Sequence, residues 1–354
     1  MKYYIFTLGC QMNKSDSQKI AAVLESCGLK SAPDEKGADL IIVNACSVRQ
    51  SAVDRIYGKL KIWKNKRVFI TGCVLSKDKE KLTKKIDLIF NIKDLNKLPK
   101  YLNKIFKNKF QSLNHLKHFP FLNSQFSALV PIMTGCDHFC AYCAVPYTRG
   151  KEYSRPINEI TCEVKNLVKR DAKEIILLGQ NVNRYGKNSK LKTQNSKESF
   201  VELLKKLIKI PGDFKIKFIS PNPWDFPDEL IKLVAKEPKL SKEIHLPVQS
   251  GDDIILKKMN RPYTAKQYLK LIENLKLKIE NLYLSTDIIV GFPGETKKAF
   301  LNTVKLSKKA KFDKAYIAQY SPRPGTRAAK LKDDVSREEK KQRWLKLEEL
   351  INRP

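Results

Sequence analysis

At 354 residues, with 42% hydrophobic side chains, the chain has enough apolar material for two cores, or for one barrel-sized unit and a second domain. A formal net charge of +32 favours a polyanionic partner such as nucleic acid, while the lack of an apolar run of about 18 residues argues against a transmembrane helix. The start, MKYYIFTLGC, lacks the apolar stretch and cleavage site of a secretion signal, so a cytoplasmic location without membrane attachment is expected, where clustered cysteines serve as ligands rather than disulfides.

In chain order, YYIFTLG reads as a short apolar strand, and residues 15–28 have helical spacing through Ile20, Val23 and Leu24. ADLIIVNAC is a second buried-type strand, followed by a helix through Val53, Ile56 and Leu60; KRVFITGC is a third. Strands alternating with helices predict a parallel sheet. Each strand runs into a loop carrying a cysteine: Cys10, Cys46 and Cys73. The carboxyl ends of parallel strands form a binding edge, where three chain-distant cysteines can meet. Cys27, on the first helix, reads as an ordinary buried thiol.

From Lys77 to Lys117 twelve lysines face four acids, and residues 111–126 read as a connector between a domain at 1–110 and another at 127–354. The second part is a longer series, with strands expected at ALVPIMTG, EIILLGQNV, KIKFISPNP, EIHLPVQSG, LYLSTDIIVGF and KAYIAQYSP. Six strand–helix repeats fit a partial (β/α)6 barrel with its active site at the carboxyl ends of the strands. Residues 186–199 read as a polar loop insertion, and a last helix spans about 336–351.

Of the 69 basic residues 56 are Lys and 13 are Arg, a bias that compositional drift toward an AT-rich genome also produces. The arginines are the sharper signal. Arg149, Arg155, Arg261, Arg323 and Arg327 sit in Gly/Pro-rich loops, where a planar guanidinium suits bidentate phosphate or carboxylate contacts.

GCDHFCAYC places Cys136, Cys140 and Cys143 within eight positions. A structural zinc site needs four closed ligands, and His138, between them, either supplies the fourth or points outward. Three cysteines on one loop instead leave one iron of a 4Fe–4S cluster open for a substrate or cofactor. The spacing C-x3-C-x2-C, with Tyr142 before the last cysteine, is specific for the second arrangement. Cys162, at a helix start, reads as packing.

That segment resembles the radical S-adenosylmethionine enzymes, in which the open iron binds the amino and carboxylate groups of S-adenosylmethionine and electron transfer yields a 5′-deoxyadenosyl radical. The likeness extends over almost the whole chain. TLGCQMNKSDS, NACSVRQSA, CAVPYTRGKEYSRP, LLGQNVNRYG, HLPVQSGDD, MNRPYT, STDIIVGFPGET and YSPRPGTRAA are similar to the methylthiotransferases, and GCQMN, CSVR and VPYTRG to the MiaB-type tRNA members. The resemblance implies an α/β fold: an N-terminal parallel-sheet domain followed by a radical-SAM barrel. It implies two 4Fe–4S clusters, the second held by Cys10, Cys46 and Cys73 as carrier or source of sulfur. It further implies that a tRNA anticodon stem-loop is the substrate. The adenine C2 of isopentenyladenosine would become 2-methylthiolated, and an electron donor such as flavodoxin or ferredoxin would supply reducing equivalents. Tyr142, Gly179, Gln180, Asn181, Gln249 and Gly291 lie where the family contacts S-adenosylmethionine or its nucleoside part.

Two other readings compete. Within the family, the substrate would be threonylcarbamoyladenosine tRNA or a ribosomal-protein aspartate, against the wording of GCQMN and CSVR. Outside it stands a basic, non-catalytic RNA-binding protein with structural metal sites, which would need four ligands where each triplet offers three. Family members usually continue into a small TRAM barrel that helps bind tRNA; this chain stops at Pro354, which leaves two readings, a truncated sequence or a lysine-rich surface that replaces the lost contacts.

Overall fold

A computed structural model describes residues 1–48, 50–107, 110, 127–187 and 199–353. The expected connector at 111–126 and most of the polar insertion at 186–199 lie outside the described residues. The chain forms two compact units. The first comprises Met1–Gln125 together with Tyr147–Arg149 and Arg323–Gly325; the second comprises Phe126–Pro146, Gly150–Pro322 and Thr326–Pro354.

The first unit runs β1 (Lys2–Thr7), α1 (Gln11–Ser26), β2 (Lys30–Ser31), β3 (Leu40–Ala45), α2 (Gln50–Ile62), β4 (Arg67–Gly72), α3 (Ser76–Thr83), β5 (Leu88–Ile89) and α4 (Leu98–Phe106). Its five strands pair in parallel in the order β2-β1-β3-β4-β5. The central β3, LIIVNA, is buried throughout, as a strand covered on both faces must be. Its side chains alternate between two cores. Leu40 and Ile42 pack with Ile20, Leu24, Phe69 and Leu102, while Ile41 and Val43 pack with Ile56, Trp63, Ile70 and Leu82.

The first helix starts earlier than expected, at Gln11 rather than residue 15. Asn13, Ser15, Asp16 and Ser17 in its opening turns are buried but polar, so apolar periodicity does not report them. Cys27 caps the end of this helix and is buried, as expected. The lysine-rich stretch after Lys77 holds α3 and α4.

The second unit contains β6 (Ser127–Pro131), β7 (Met133–Thr134), α5 (Val145–Arg149, whose last three residues group with the first unit), β8 (Tyr153–Ser154), α6 (Ile157–Lys169), β9 (Glu174–Leu178), α7 (Phe200–Ile208) and β10 (Lys215–Phe218). It continues through α8 (Asp228–Lys236), β11 (Glu243–His245), α9 (Asp253–Lys258), α10 (Ala265–Lys278), β12 (Tyr283–Val290), α11 (Lys297–Ala310), β13 (Lys314–Gln319) and α12 (Arg337–Leu347). Six parallel strands form two groups, β10-β9-β6 and β11-β12-β13, the two halves of a partial (β/α)6 barrel. The ALVPIMTG segment splits: β7 leaves β6 and pairs antiparallel with β8, forming a hairpin around the GCDHFCAYC loop.

Several motif residues of this unit serve the scaffold. Asp252 of QSGDD caps α9, accepting from Ile254 N and Ile255 N at 3.1 Å. Glu295 of VGFPGE accepts from Gly291 N at 2.6 Å and from Arg343 of α12 at 2.7 Å. Among the described residues no helix is long and apolar enough to cross a membrane.

Candidate metal centres

In the first unit, β1, β3 and β4 deliver Cys10, Cys46 and Cys73 to one edge of the sheet, because each cysteine lies just past its strand. Parallel register aligns the three exits: Leu8 N donates to Asn44 O at 2.9 Å, and Cys73 N donates to Ala45 O at 2.9 Å. Asn13 braces them, donating through Nδ2 to Leu8 O at 2.7 Å and Ala45 O at 2.8 Å. The turn before Cys10 must be glycine. Gly9 has φ +103°, and a Cβ there would stand 2.8 Å from Cys46 Cβ and 3.0 Å from its Sγ, so the first two cysteine loops touch.

Cys10 occupies the N-cap of α1 and is exposed, whereas Cys46 and Cys73 are buried. Arg149 is buried against the same group: its Nε donates to Cys73 Sγ at 3.2 Å, and its Nη2 donates to Asn13 Oδ1 at 2.7 Å and Asp16 Oδ2 at 2.9 Å. Burial pushes the Cys73 thiol up while Arg149 pulls it down. Burial works against the guanidinium's charge as well, yet Cys73, Asp16 and Cys10 outweigh it and hold Arg149 above the ordinary arginine range.

In the second unit, the β7–β8 hairpin and neighbouring backbone fold the GCDHFCAYC loop. Gly135 has φ +80°, and a Cβ there would run into the carbonyls of Lys151 and Gly150. Cys136 N donates to Gly150 O at 3.1 Å, Ala141 N to Met259 O at 2.9 Å, and Cys143 N to Cys140 O at 3.0 Å. Asn260 Nδ2 holds the carbonyls of His138 and Phe139 at 3.0 and 3.2 Å. Burial pushes the Cys136 thiol up to about 11 and the Cys143 thiol up to about 12. The thiolate form therefore needs a cation, which bound iron would supply. Arg261, also buried, points Nη1 at Cys140 Sγ over 3.7 Å while lying 4.7 Å over the Trp224 ring.

His138 turns away from the thiols. Its Nε2 accepts from Trp224 Nε1 at 2.8 Å and lies 3.9 Å from Asp225. Among the described residues no three His, Cys, Asp or Glu side chains close on a single ion. By donor chemistry, three cysteines suit a 4Fe–4S cluster with one iron left open, whereas a closed structural zinc site asks for four ligands.

The expected cofactor-binding residues differ in what surrounds them. Asn181 is fully buried, and neither its Oδ1 nor its Nδ2 has a hydrogen-bond partner; Gln180 Oε1 is likewise buried and unpaired. Orphaned polar atoms of this kind fit a polar ligand group. Gly179 presses on Met133, where a Cβ would stand 2.6 Å from Cγ. Gln249, at φ +68°, donates N–H to Asp287 O at 2.8 Å and accepts from Ile289 N at 2.9 Å. Gly291 lies under the Lys340 side chain, and Tyr142 packs with Ala141, Ile255, Met259 and Phe292.

Of the two contacts expected for the loop arginines, phosphate or carboxylate, the described residues supply the carboxylate kind for Arg149, on Asp16, and for Arg155. Arg149 and Arg261 are buried beside thiols, Arg155 pairs with Glu163 at 2.7 Å, and Arg323 Nη1 donates to Gln50 at 2.6 Å. Arg327 remains exposed, with Nη2 on Phe139 O. Cys162 is exposed within α6 rather than packed. Sequence reasoning missed Asn13 and Asp16, although both lie in GCQMNKSDS, within two helical turns of Cys10. Their polarity at buried positions was the available signal.

A family model described as the radical SAM superfamily matches residues 130–307, and one described as an uncharacterized protein family, UPF0004, matches residues 2–91. The chain is 40% identical over 369 residues to a tRNA-2-methylthio-N(6)-dimethylallyladenosine synthase of Fusobacterium nucleatum, covering 99% of this chain and 84% of that protein. It is 41% identical over 376 residues to the synthase of the same name from Carboxydothermus hydrogenoformans, covering 99% and 83%. Among solved structures, the cobalamin- and cluster-bound radical S-adenosylmethionine methyltransferase TsrM of Kitasatospora setae aligns with TM-score 0.64 and 12% identity, over 93% of this chain and 76% of that one. The cobalamin-dependent radical enzyme OxsB aligns with TM-score 0.55 and 12% identity, over 99% and 55%. At that identity the likeness concerns the fold. By its whole-length identity, this chain belongs to the tRNA-2-methylthio-N(6)-dimethylallyladenosine synthases, a family of radical SAM proteins.

Proposed function

We propose that the chain transfers a methylthio group to C2 of N6-dimethylallyladenosine (isopentenyladenosine) beside the tRNA anticodon, using two 4Fe–4S clusters and S-adenosylmethionine. The observation that carries this reading is the convergence of Cys10, Cys46 and Cys73 on one sheet edge, in a chain that has a separate C-x3-C-x2-C loop. One triplet suffices for reductive cleavage of S-adenosylmethionine; a second, chain-distant one serves the sulfur half of the reaction. An aromatic C–H has no acidic proton at neutral pH, so side-chain acid–base chemistry does not reach it. When bound, the clusters and S-adenosylmethionine would supply radical chemistry and sulfur.

The protein's own residues hold and exclude. Cys136, Cys140 and Cys143 hold one cluster and leave a coordination position open. Cys10, Cys46 and Cys73 hold the auxiliary cluster, in a domain spanning residues 1–110. Asn181 and Gln180 offer buried donors and acceptors to S-adenosylmethionine, and Gly179 brings this loop close to Met133. Tyr142, Gln249 and Gly291 complete the proposed cofactor contacts. Residues 127–354 form the radical-SAM domain, reduced by a flavodoxin or ferredoxin.

The test is anaerobic reconstitution with iron and sulfide, followed by incubation with S-adenosylmethionine, reductant and tRNA bearing the N6-dimethylallyl group. Nucleoside mass spectrometry should reveal the 2-methylthio product. S-adenosylmethionine cleavage without that product, together with activity on threonylcarbamoyladenosine tRNA, would move the substrate to the sister reaction.

A further inference from the structure

Arg149 is an odd residue to find buried. It stands four positions beyond the C-x3-C-x2-C loop's neighbour Val145, yet groups with the first unit, where its guanidinium meets a sulfur, an amide and a carboxylate at once. Asp16 balances its charge, with both side chains only 7% exposed. Nε is aimed at Cys73 Sγ, while Nη2 is spent on Asn13 and Asp16. A scaffold role needs only the Nη2 contacts. A nitrogen donor 3.2 Å from a ligand sulfur has a further consequence.

We propose that Arg149 is a positioning residue that raises the reduction potential of the auxiliary cluster through its Nε–H donated to Cys73 Sγ, with Asp16 as the counter-charge that limits the rise. This rests on the reading of Cys10, Cys46 and Cys73 as cluster ligands. The reduced cluster carries one more negative charge than the oxidised one, and that charge spreads onto the ligand sulfurs. A donor hydrogen bond and a nearby cation both stabilise the reduced form more than the oxidised form. The Asp16 carboxylate acts in the opposite sense. The two residues therefore pull the potential in opposite directions while stabilising the same fold, and a purely structural pair would not.

The experiment uses full-length protein with Cys136, Cys140 and Cys143 replaced by Ala, anaerobically reconstituted so that only the auxiliary cluster remains, and an EPR-monitored redox titration. Arg149→Gln should lower the reduced-to-oxidised ratio at fixed poise about tenfold, the scale of losing a hydrogen bond to a charged group, or about 59 mV for a one-electron couple. Arg149→Lys keeps the charge without the fork and should fall between. Asp16→Asn should shift the midpoint the other way. Iron content and circular dichroism verify that each variant is folded and loaded. An unchanged midpoint in loaded Arg149→Gln protein, or Arg149→Gln and Asp16→Asn moving together, overturns the proposal. Failure of the parent triple variant to bind iron overturns the ligand reading itself, and the proposal with it.

Discussion

The Nδ2 of Asn13 donates to the carbonyl oxygen of Ala45 at 2.8 Å, joining the first turn of α1 to the end of the central strand 32 residues on. Its second proton goes to Leu8 O at 2.7 Å, so one amide braces two cysteine loops. Asn13→Ala would take the amide donor from Leu8 O in a buried site and leave Ala45 O with the Cys73 N–H alone. The expected cost is about 2–3 kcal/mol, from two hydrogen bonds worth roughly 1 kcal/mol each plus unmet desolvation. Urea denaturation of wild type and variant measures it, and reconstituted Asn13→Ala should also retain less iron. A variant as stable and as iron-rich as wild type would remove the brace from the account.

The two triplets should be separable. Replacing Cys136, Cys140 and Cys143 together with Ala should abolish S-adenosylmethionine cleavage while iron remains at the first-unit site. Cys46→Ala should do the converse, blocking sulfur insertion but sparing cleavage. Chromatography of 5′-deoxyadenosine alongside nucleoside mass spectrometry reads both halves. Wild-type methylthio product from Cys46→Ala would refute the division.

How much of this was legible beforehand varies with the kind of residue. The cysteines were plain, since each of Cys10, Cys46 and Cys73 follows an apolar strand and parallel strands align their exits. The alternation of Leu40, Ile41, Ile42 and Val43 between two cores likewise follows from a period of two. The start of α1 was hidden because Asn13, Ser15 and Asp16 are polar yet buried. The arginines were legible only in part: nothing local distinguishes a guanidinium bound for phosphate from one bound for Asp16 or Glu163. For Arg149 the partner also lies far along the chain, with Asp16 133 residues away.

Glu295 and Arg343 offer a pH test. Burial holds the Glu295 carboxyl above the ordinary glutamate range, against the pull of Gly291 N–H and Arg343. Both side chains are almost fully buried, so Arg343→Ala strands an acid and should cost about 3–5 kcal/mol near neutral pH. Loss of the cation raises the folded-state value further. A raised carboxyl contributes stability that is complete below the unfolded value, about 4.3, and lost as pH rises through the folded one. The gap between variant and wild type should therefore be smallest below the unfolded value and widen as pH rises above it in denaturation curves. A gap independent of pH would mean the lost packing of the arginine stem dominates.

For RNA binding, the surface lysines are now the better candidates than the loop arginines. Lys77, Lys79, Lys81 and Lys84 are all exposed on or beside α3. If they neutralise phosphates, changing all four to Gln should weaken tRNA binding and flatten its salt dependence by about 0.7–0.9 log units per log unit of salt for each lost contact. Filter binding across a salt series measures both. An unchanged affinity and slope would assign these lysines to genome composition alone.

The spacing of the ligands also dictates an order of assembly. Cys10, Cys46 and Cys73 are separated by 36 and 27 positions, and closing loops of that length in an unfolded chain costs roughly 3–4 kcal/mol each. The sheet has already met that cost once Leu8 N reaches Asn44 O and Cys73 N reaches Ala45 O. On the proposed cluster reading, the first-unit site would therefore accept iron late, in a fold already formed. Cys136, Cys140 and Cys143 share one short loop and carry no such entropic barrier. A chelator present during refolding should therefore strip the two sites of iron equally yet leave the first unit's fold in place, ready to load afterwards.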